Sequence, residues 1–491
     1  MERMISKYIK KAQGAKMKTE PDNEKRRMVL RITLACIAFV YFVTMYYWDN
    51  LVIFQSAYYR LEYLFRGNLM DFLFDWSPVV PYGVLSQMLF TVWVVPVKLL
   101  SLLFRTSLED SMGAYLWYKL HIVCMWGLCV RETKEIAVTL KMDYTRIKWI
   151  QMFLSSTLYV FLPVFHLGQV DAVYLVFMLW GLRKYIEGDY RRFVCAFLLA
   201  NPVKYLSVFV YVPLILLKEK RIPYILRDIM LGLVLIPVEL IVKNMTSILC
   251  WLGIIGIDQV KTPYTLAASQ IRALLVNVWG AGPDNLGASV VVIAYAAICI
   301  LAYCNCYQDE RRGKLSVWIC YSSLAVLVAF GIMKCYWIIL LVPFMVLLLF
   351  MERHNTRINF ILEAFAPLLT VSIYVITQSQ VYGGRLTFDY LIFSASSYLM
   401  NRRQSHSTND MIHYIKDTFQ YPGEYEYAVS ALAVVCLAGF MVVTFPYQKQ
   451  RDEETVRVTG AEEQKLWYQW GCVRVGILMI WFILNFWCIF K

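Results

Sequence analysis

Long runs of apolar residues, each of about 17–25 residues, recur along the chain from end to end. A helix needs about 20 apolar residues to cross the hydrocarbon core of a bilayer, and inside that core its backbone must satisfy its own hydrogen bonds. The pattern therefore predicts an all-α polytopic membrane protein with about 13 transmembrane helices, within a range of about 11–15.

Basic residues are concentrated in the turns that this pattern places on one side of the membrane. Residues 1–27 hold nine Lys/Arg against four Asp/Glu, directly before the first apolar run. Lys and Arg accumulate in the cytoplasmic loops of membrane proteins, so we expect residues 1–27 to form a cytoplasmic basic N-terminus. The same bias accounts for the net charge of +13 in a chain that is 59% hydrophobic, and no nucleic-acid partner is expected.

The apolar stretch 79–104 decides which side of the membrane several later residues face. If it crossed the membrane, the basic loop 131–148 would lie outside and Asp171 would face the cytoplasm. Pro81, Pro96 and Lys98 argue against a straight span. We therefore expect juxtamembrane or re-entrant helices here, in the first outer loop, which puts Asp171 on the same extracytoplasmic side as Asp49.

Polar side chains are crowded into Pro163–Asp171, between two apolar runs. His166, Gln169 and Asp171 are costly there unless they face water or each other, so we expect a water-facing cavity at the membrane surface. Asp49 stands in the same position relative to the first apolar run. The sequence thus predicts that Asp49 and Asp171 face each other across one pocket.

A lysine in the middle of an apolar stretch needs an anionic partner. The stretch 193–217 is broken by Pro202, contains Lys204 and has no acidic residue of its own. A buried ammonium is unfavourable without a counter-charge, so the partner must come from another span or from a ligand. Lys334 and Arg272 are further cations in predicted outer loops, and we assign all three to a phosphate.

Carboxylates beside cations in a lipid-accessible pocket suit one chemistry. The cations bind a lipid-linked phosphate as the leaving group, and a carboxylate accepts the proton of an acceptor hydroxyl. The sequence holds no Gly-rich nucleotide loop. We therefore expect a lipid-linked donor instead of an activated nucleotide.

The order of these residues resembles the GT-C superfamily of integral-membrane glycosyltransferases, which use polyprenyl-phosphate sugars, and within it the mannosyltransferases. The matching pieces cover about two-thirds of the chain and stand in the family's order. They are Asp49, Gly67, Pro78–Tyr82, Gly168–Asp171, Pro202 with Lys204, Asn277–Trp279, and Lys334 with Tyr336 before Pro343.

The resemblance implies a role for each candidate. Asp49 would be the general base. Asp171, with Gln169 and His166, would bind the acceptor in the second outer loop. No cofactor is required, and the second loop lacks an Asp-x-Asp pair; if a divalent cation is used, Asp49 and Asp171 would hold it.

The chain then divides into three parts: residues 1–27, a GT-C-like catalytic membrane module at 28–351, and a C-terminal membrane region at 352–491 with an outer loop at 378–425. The implied partners are the lipid-linked sugar donor, a glycan, lipid or protein acceptor, and membrane lipids. The site would be extracytoplasmic, in the plasma membrane of a prokaryote or the endoplasmic reticulum membrane of a eukaryote. The sequence leaves open which sugar and acceptor are used, and whether transfer retains or inverts the anomeric configuration.

Two other interpretations stay open at this point. A transporter or flippase of a lipid-linked sugar should show matching broken helices in its two halves, and the sequence shows one clear break, at Pro202. A non-catalytic subunit of a membrane complex is the third.

Overall fold

The computed structural model describes residues 25, 28–43, 48–74, 83–256, 290–305, 310–330, 335–351, 356–378, 424–446 and 460–490. These residues form helices and connecting turns, with no strand in any of those ranges, so the all-α prediction is confirmed. In chain order the α-helices are α1 Met28–Val43, α2 Trp48–Phe65, α3 Leu69–Phe74, α4 Val84–Phe104, α5 Met112–Thr139, α6 Tyr144–Leu154, α7 Leu158–Val160, α8 Asp171–Glu187, α9 Tyr190–Val203, α10 Val208–Lys218, α11 Ile222–Leu233, α12 Leu235–Lys243, α13 Met245–Trp251, α14 Val290–Cys304, α15 Glu310–Phe330, α16 Val342–Met351, α17 Thr356–Gln378, α18 Glu424–Val443 and α19 Gly460–Phe490. A π-helical segment, Phe161–His166, continues α7, and 3-10 segments occupy Tyr205–Ser207 and Cys335–Leu341.

Three helices of the described part are long and apolar enough to cross a membrane, judged by length and composition: Val84–Phe104, Arg311–Phe330 and Glu462–Ile483. A bent pair, Tyr144–Leu154 with Leu158–His166, raises the number to four if it counts as one span. Five further apolar helices are shorter, at 10–17 residues. The described residues therefore hold far fewer unbroken spans than the about 13 predicted from hydropathy.

The difference arises because many apolar runs are interrupted. The chain bends by 57° between α6 and α7, where Ser155 ends α6 and the Thr157 hydroxyl caps α7. Another run divides into α11 and α12 at Val234. Hydropathy reports how apolar a run is, whereas the continuity of its helix depends on local breaks that average out in a long window.

The stretch 79–104, expected to form juxtamembrane or re-entrant helices, contains one continuous helix, α4, of 21 residues. Pro96 lies inside this helix without interrupting it, and the helix is long and apolar enough to cross a membrane. Whether the stretch crosses stays a prediction. The chain between α1 and α5 nevertheless leaves and re-enters the bundle at the same end, and we call this part of the chain the detour. The Lys119 ammonium, in the first third of α5, donates to the carbonyls of Tyr41 and Phe42 at the end of α1. The chain between α1 and α5 thus returns to the end of the bundle from which it left.

Helices α8, α9 and α10 form the framework of the candidate site. Asp171 opens α8 and pairs with Lys204, which follows α9. At the opposite end the Lys218 ammonium, closing α10, lies 3.2 Å from the centroid of the Tyr190 ring, which opens α9. α9 and α10 are therefore a helical hairpin with Lys204 near its tip. We call the end of the bundle that contains Asp171 and Lys204 the site end.

The hairpin is short for a membrane. α9 has 14 residues, about 21 Å at a rise of about 1.5 Å per residue, whereas the hydrocarbon core of a bilayer is about 30 Å thick. A hairpin with its open end at one membrane surface therefore ends below the other surface.

The helices after residue 352 pack on the same bundle. The Arg146 guanidinium of α6 pairs with Glu463 of α19 at 2.7 Å. Farther along α19, Arg474 donates to the carbonyl of Phe153 at 2.8 Å and pairs with Glu363 of α17 at 3.0 Å. These contacts join α6, α17 and α19 in the interior.

Candidate functional site

The centre of the candidate site is an ion pair between Asp171 and Lys204. The Asp171 side chain is fully buried, and the Lys204 side chain is 18% exposed. Lys204 has an extended backbone, with φ −158° and ψ 127°, between the end of α9 and the following 3-10 turn. The interruption of the helix turns the lysine towards α8, so the anion that the sequence required comes from another helix.

Two aromatic rings flank the Lys204 ammonium. Its nitrogen lies 5.5 Å from the centroid of the Tyr174 ring and 5.1 Å from that of the Trp337 ring. Both distances fall within the reach of cation–π attraction. Trp337 belongs to the 3-10 segment that begins one residue after Lys334, so the chain that follows Lys334 reaches the site.

The polar stretch before α8 is buried in the described structure. His166, Gln169 and Asp171 are all 0% exposed, so the expectation that they face water is wrong. The His166 ring lies against Tyr41 of α1, with ring centroids 5.8 Å apart. The Gln169 main-chain N–H donates to the carbonyl of Pro163 at 2.7 Å, which folds the loop back onto the π-helical segment beneath neighbouring helices.

Three residues hold this loop against the beginning of α2. The Asn50 side-chain amide donates to the carbonyl of Leu167. Gly168 has φ +64°, and an ideal Cβ on it would lie 2.6 Å from the Asn50 amide nitrogen and 3.1 Å from Lys119 Cγ. Only glycine accommodates both the backbone and the close neighbours. We call Asn50, Lys119 and Gly168 the loop clamp.

The main chain at Asp49 lies next to this loop. Asp49 is the second residue of α2, and its neighbour Asn50 binds Leu167. The Asp49 side chain is outside the described part of the structure, so its role as a base and its facing of Asp171 stay predictions. Lys334 and Arg272, assigned to the donor phosphate, also lie outside the described residues.

Another buried ion pair lies close to the break at Pro202. Glu239 and Lys243 of α12 are 3.1 Å apart, with side chains 3% and 1% exposed. A Glu239 carboxylate oxygen also accepts the main-chain N–H of Val84 at 3.1 Å, which caps α4. An ideal Cβ on Gly83 would collide with the Pro202 carbonyl and with this carboxylate, so α4, α9 and α12 meet here.

Sequence reasoning missed several of these residues although signals were present. Lys119 lies in the apolar run 112–130, and a charged side chain inside a span is by default a functional candidate. Glu239 and Lys243 stand four apart in an apolar run, the spacing of a helical ion pair. Asn50 and Trp337 carried no comparable signal.

No group of three or more His, Cys, Asp or Glu residues that could hold a metal ion occurs among the described residues. The Asp171 carboxylate is engaged by Lys204. Because the Asp49 side chain lies outside the described part of the structure, the assignment of a divalent cation to Asp49 and Asp171 stays a prediction.

The site thus combines an ammonium in a break between helices, a carboxylate that orients it, and a loop tied to the chain beside Asp49. An ammonium in partly dehydrated surroundings binds a phosphate oxygen more strongly than one in water. Comparisons of this chain with protein-family models, with curated proteins and with solved structures found no match.

Proposed function

We propose that this protein is a membrane glycosyltransferase of the GT-C type that moves a sugar from a polyprenyl-phosphate donor to an acceptor hydroxyl on the extracytoplasmic side. The observation that carries the proposal is the Asp171–Lys204 ion pair, which lies at the tip of a short hairpin beside the loop that Asn50 binds. These two contacts bring Lys204 and the main chain at Asp49 to one end of the bundle.

The proposal requires a multi-pass arrangement, which the apolar helices of the described part support. Helices of 10–17 apolar residues, such as Val290–Cys304 and Ala428–Val443, lie beside the three longer ones, and interrupted helices cross membranes where protein covers their backbone. The detour between α1 and α5 agrees with a stretch 79–104 that makes no net crossing. The site end is then extracytoplasmic if the basic N-terminus is cytoplasmic.

The proposed reaction has balanced steps. The acceptor hydroxyl gives its proton to the Asp49 carboxylate as its oxygen forms a bond to the anomeric carbon of the sugar. The bond between that carbon and the phosphate oxygen breaks, and polyprenyl phosphate leaves with the electron pair. Lys204 stabilises the charge that develops on the leaving phosphate, and Asp171 holds the ammonium in position.

The proposal is tested with purified protein in lipid vesicles that contain a polyprenyl-phosphate hexose and a candidate acceptor. Release of polyprenyl phosphate together with glycosylated acceptor is the expected result. Asp49→Asn should lower turnover about 10²–10⁴-fold, the usual contribution of a general base. Glu187→Gln is the matched control, because Glu187 is an exposed acid at the opposite end of α8 from Asp171. Transfer by Asp49→Asn at the wild-type rate would exclude Asp49 as the base.

One observation favours a second candidate, a transporter or flippase of a lipid-linked sugar. The π-helical segment Phe161–His166, the break at Lys204 and the 3-10 segment Cys335–Leu341 are irregular helices in separate parts of the chain, and all three lie at the site end. Transporters build their substrate sites from such discontinuous helices. Movement of a labelled lipid-linked sugar between leaflets, without cleavage of its sugar–phosphate bond, would support this function over transfer.

A further inference from the structure

We propose that Gln169, Asp171 and Trp337 form a subsite for the hydroxyl groups of the sugar, with Trp337 as its specificity-determining residue. The inference rests on the proposed function, since it concerns the sugar that the lipid phosphate carries. No sequence signal assigned a role to Trp337, and Gln169 and Asp171 were expected to bind the acceptor.

Trp337 lies beside the Lys204–Asp171 ion pair, and Gln169 lies close to it in the chain. The Trp337 ring centroid is 5.1 Å from the Lys204 nitrogen, and that nitrogen binds Asp171. Gln169 precedes Asp171 by two residues in the short loop between the π-helical segment and α8. The 3-10 segment of Trp337 packs against both of these elements. The three residues therefore lie on contacting elements, and we call them the cluster.

Gln169 and Trp337 carry buried polar atoms with free hydrogen-bonding capacity. Gln169 is 0% exposed, yet neither its amide nitrogen nor its amide oxygen has a hydrogen-bond partner among the described residues. The indole nitrogen of Trp337 is a buried atom that likewise has no hydrogen-bond partner in the described part of the chain. Buried polar atoms are nearly always paired, so unpaired ones on two adjacent elements point to a bound group that supplies both donors and acceptors.

The chemistry of these atoms identifies the class of that group. The indole N–H donates only, the Gln169 amide both donates and accepts, and the Asp171 carboxylate accepts. A phosphate presents acceptors to them, and it would be repelled by the carboxylate and by the amide oxygen. Hydroxyl groups donate and accept at once, and the indole ring offers an apolar face to the C–H groups of a sugar ring. The cluster therefore suits a neutral polyhydroxylated ring whose phosphate lies on the Lys204 side.

The test compares two probes, polyprenyl phosphate and polyprenyl-phosphate hexose, bound to the full-length protein in lipid nanodiscs. Affinity is measured by the dependence of the thermal unfolding midpoint on ligand concentration. Trp337→Phe retains an aromatic ring and removes the N–H, and Gln169→Met retains the length and removes the amide. Trp251→Phe is the matched control, because Trp251 is 85% exposed and lies at the end of α13.

We expect the wild-type protein to bind the hexose-bearing lipid more tightly than the bare lipid phosphate. Each site variant should weaken binding of the hexose-bearing lipid about threefold to tenfold, the usual effect of one hydrogen bond, and leave binding of the bare lipid phosphate unchanged. Trp251→Phe should match the wild type with both probes. Trp337→Tyr serves as a second variant if Trp337→Phe lowers the midpoint without ligand.

Equal weakening of both probes would overturn the subsite, because it would show that Trp337 and Gln169 act only through Lys204. Equal wild-type affinity for both probes would also overturn it while leaving a lipid-phosphate site in place. If the wild-type protein binds neither probe, the proposed function fails, and the subsite fails with it.

Discussion

The Lys204 ammonium forms an ion pair with the Asp171 carboxylate across a separation of 33 residues in the chain. The pair joins the tip of the α9–α10 hairpin to the first residue of α8. Because both partners are charged and largely withdrawn from water, each neutralises a charge that would otherwise be unfavourable in the interior. The pair is therefore structural before any donor binds, and a donor phosphate must compete with Asp171 for the same ammonium.

Lys204→Met should destabilise the protein, because it leaves the buried Asp171 carboxylate without its cation. Breaking a buried pair from one side typically costs about 3–5 kcal/mol, and the partial exposure of Lys204 places this site at or below the lower end of that range. Denaturant unfolding in detergent micelles measures the change.

The double variant Lys204→Met/Asp171→Asn removes both charges and should recover much of the lost stability. If it is as unstable as the single variant, the ion pair is not the cause. A folded double variant that still turns over donor at the wild-type rate would show that the pair has no role in transfer.

Gly168→Ala should open the loop clamp. The substitution places a methyl group 2.6 Å from the Asn50 amide nitrogen and imposes φ +64° on a residue with a side chain. Gly188→Ala is the matched control, since Gly188 has φ +82° but nothing within 4 Å of its ideal Cβ.

The control isolates backbone strain, about 1–2 kcal/mol, whereas Gly168→Ala adds a collision in a packed interior. We expect Gly168→Ala to lose about 1–3 kcal/mol more than Gly188→Ala, measured by denaturant unfolding. Equal losses would show that the loop relaxes freely and that the clamp is loose.

Lys119→Met should weaken the connection between α1 and the loop. The change keeps the apolar stem beside Gly168 and removes the hydrogen bonds to the carbonyls of Tyr41 and Phe42. Amide hydrogen exchange in the last turn of α1 should accelerate, while exchange in α11, remote in sequence, should match the wild type. Lys119→Arg keeps the charge and donors and should retain more of the protection. Unchanged exchange in α1 would show that Lys119 only packs.

How much of this was predictable varies with the kind of signal. The need of Lys204 for an anion followed from the sequence, because the cost of a charge among apolar residues depends on composition alone. The identity of its partner did not follow, since it depends on how α8 and α9 are placed. The exposure of His166 and Gln169 was wrongly predicted because hydropathy does not show which helices cover a polar loop. Trp337 escaped notice because tryptophans near membrane surfaces are common for other reasons.

Glu239 and Lys243 form a buried ion pair in α12. Glu239→Gln preserves the shape of the side chain and an oxygen that can still accept the Val84 N–H, so the cap on α4 should survive. What changes is the charge facing Lys243, whose side chain is 1% exposed. We expect a loss of about 3–5 kcal/mol in the free energy of unfolding, because removing one partner of a buried pair leaves the other charge uncompensated.

Glu187→Gln is the matched control. It removes an acid from the partly exposed Lys184–Glu187 pair and should cost no more than about 1 kcal/mol. Glu239→Gln/Lys243→Met should recover stability relative to Glu239→Gln alone, because no unpaired charge remains.

The double variant also tests whether the Glu239 charge matters to the site. Gly83 and the Pro202 carbonyl lie against the Glu239 side chain. If the double variant is stable, we expect it to keep the hairpin tip, and donor binding through Lys204, close to wild type. A double variant that is stable but has lost donor binding would instead assign the Glu239 charge to the site itself.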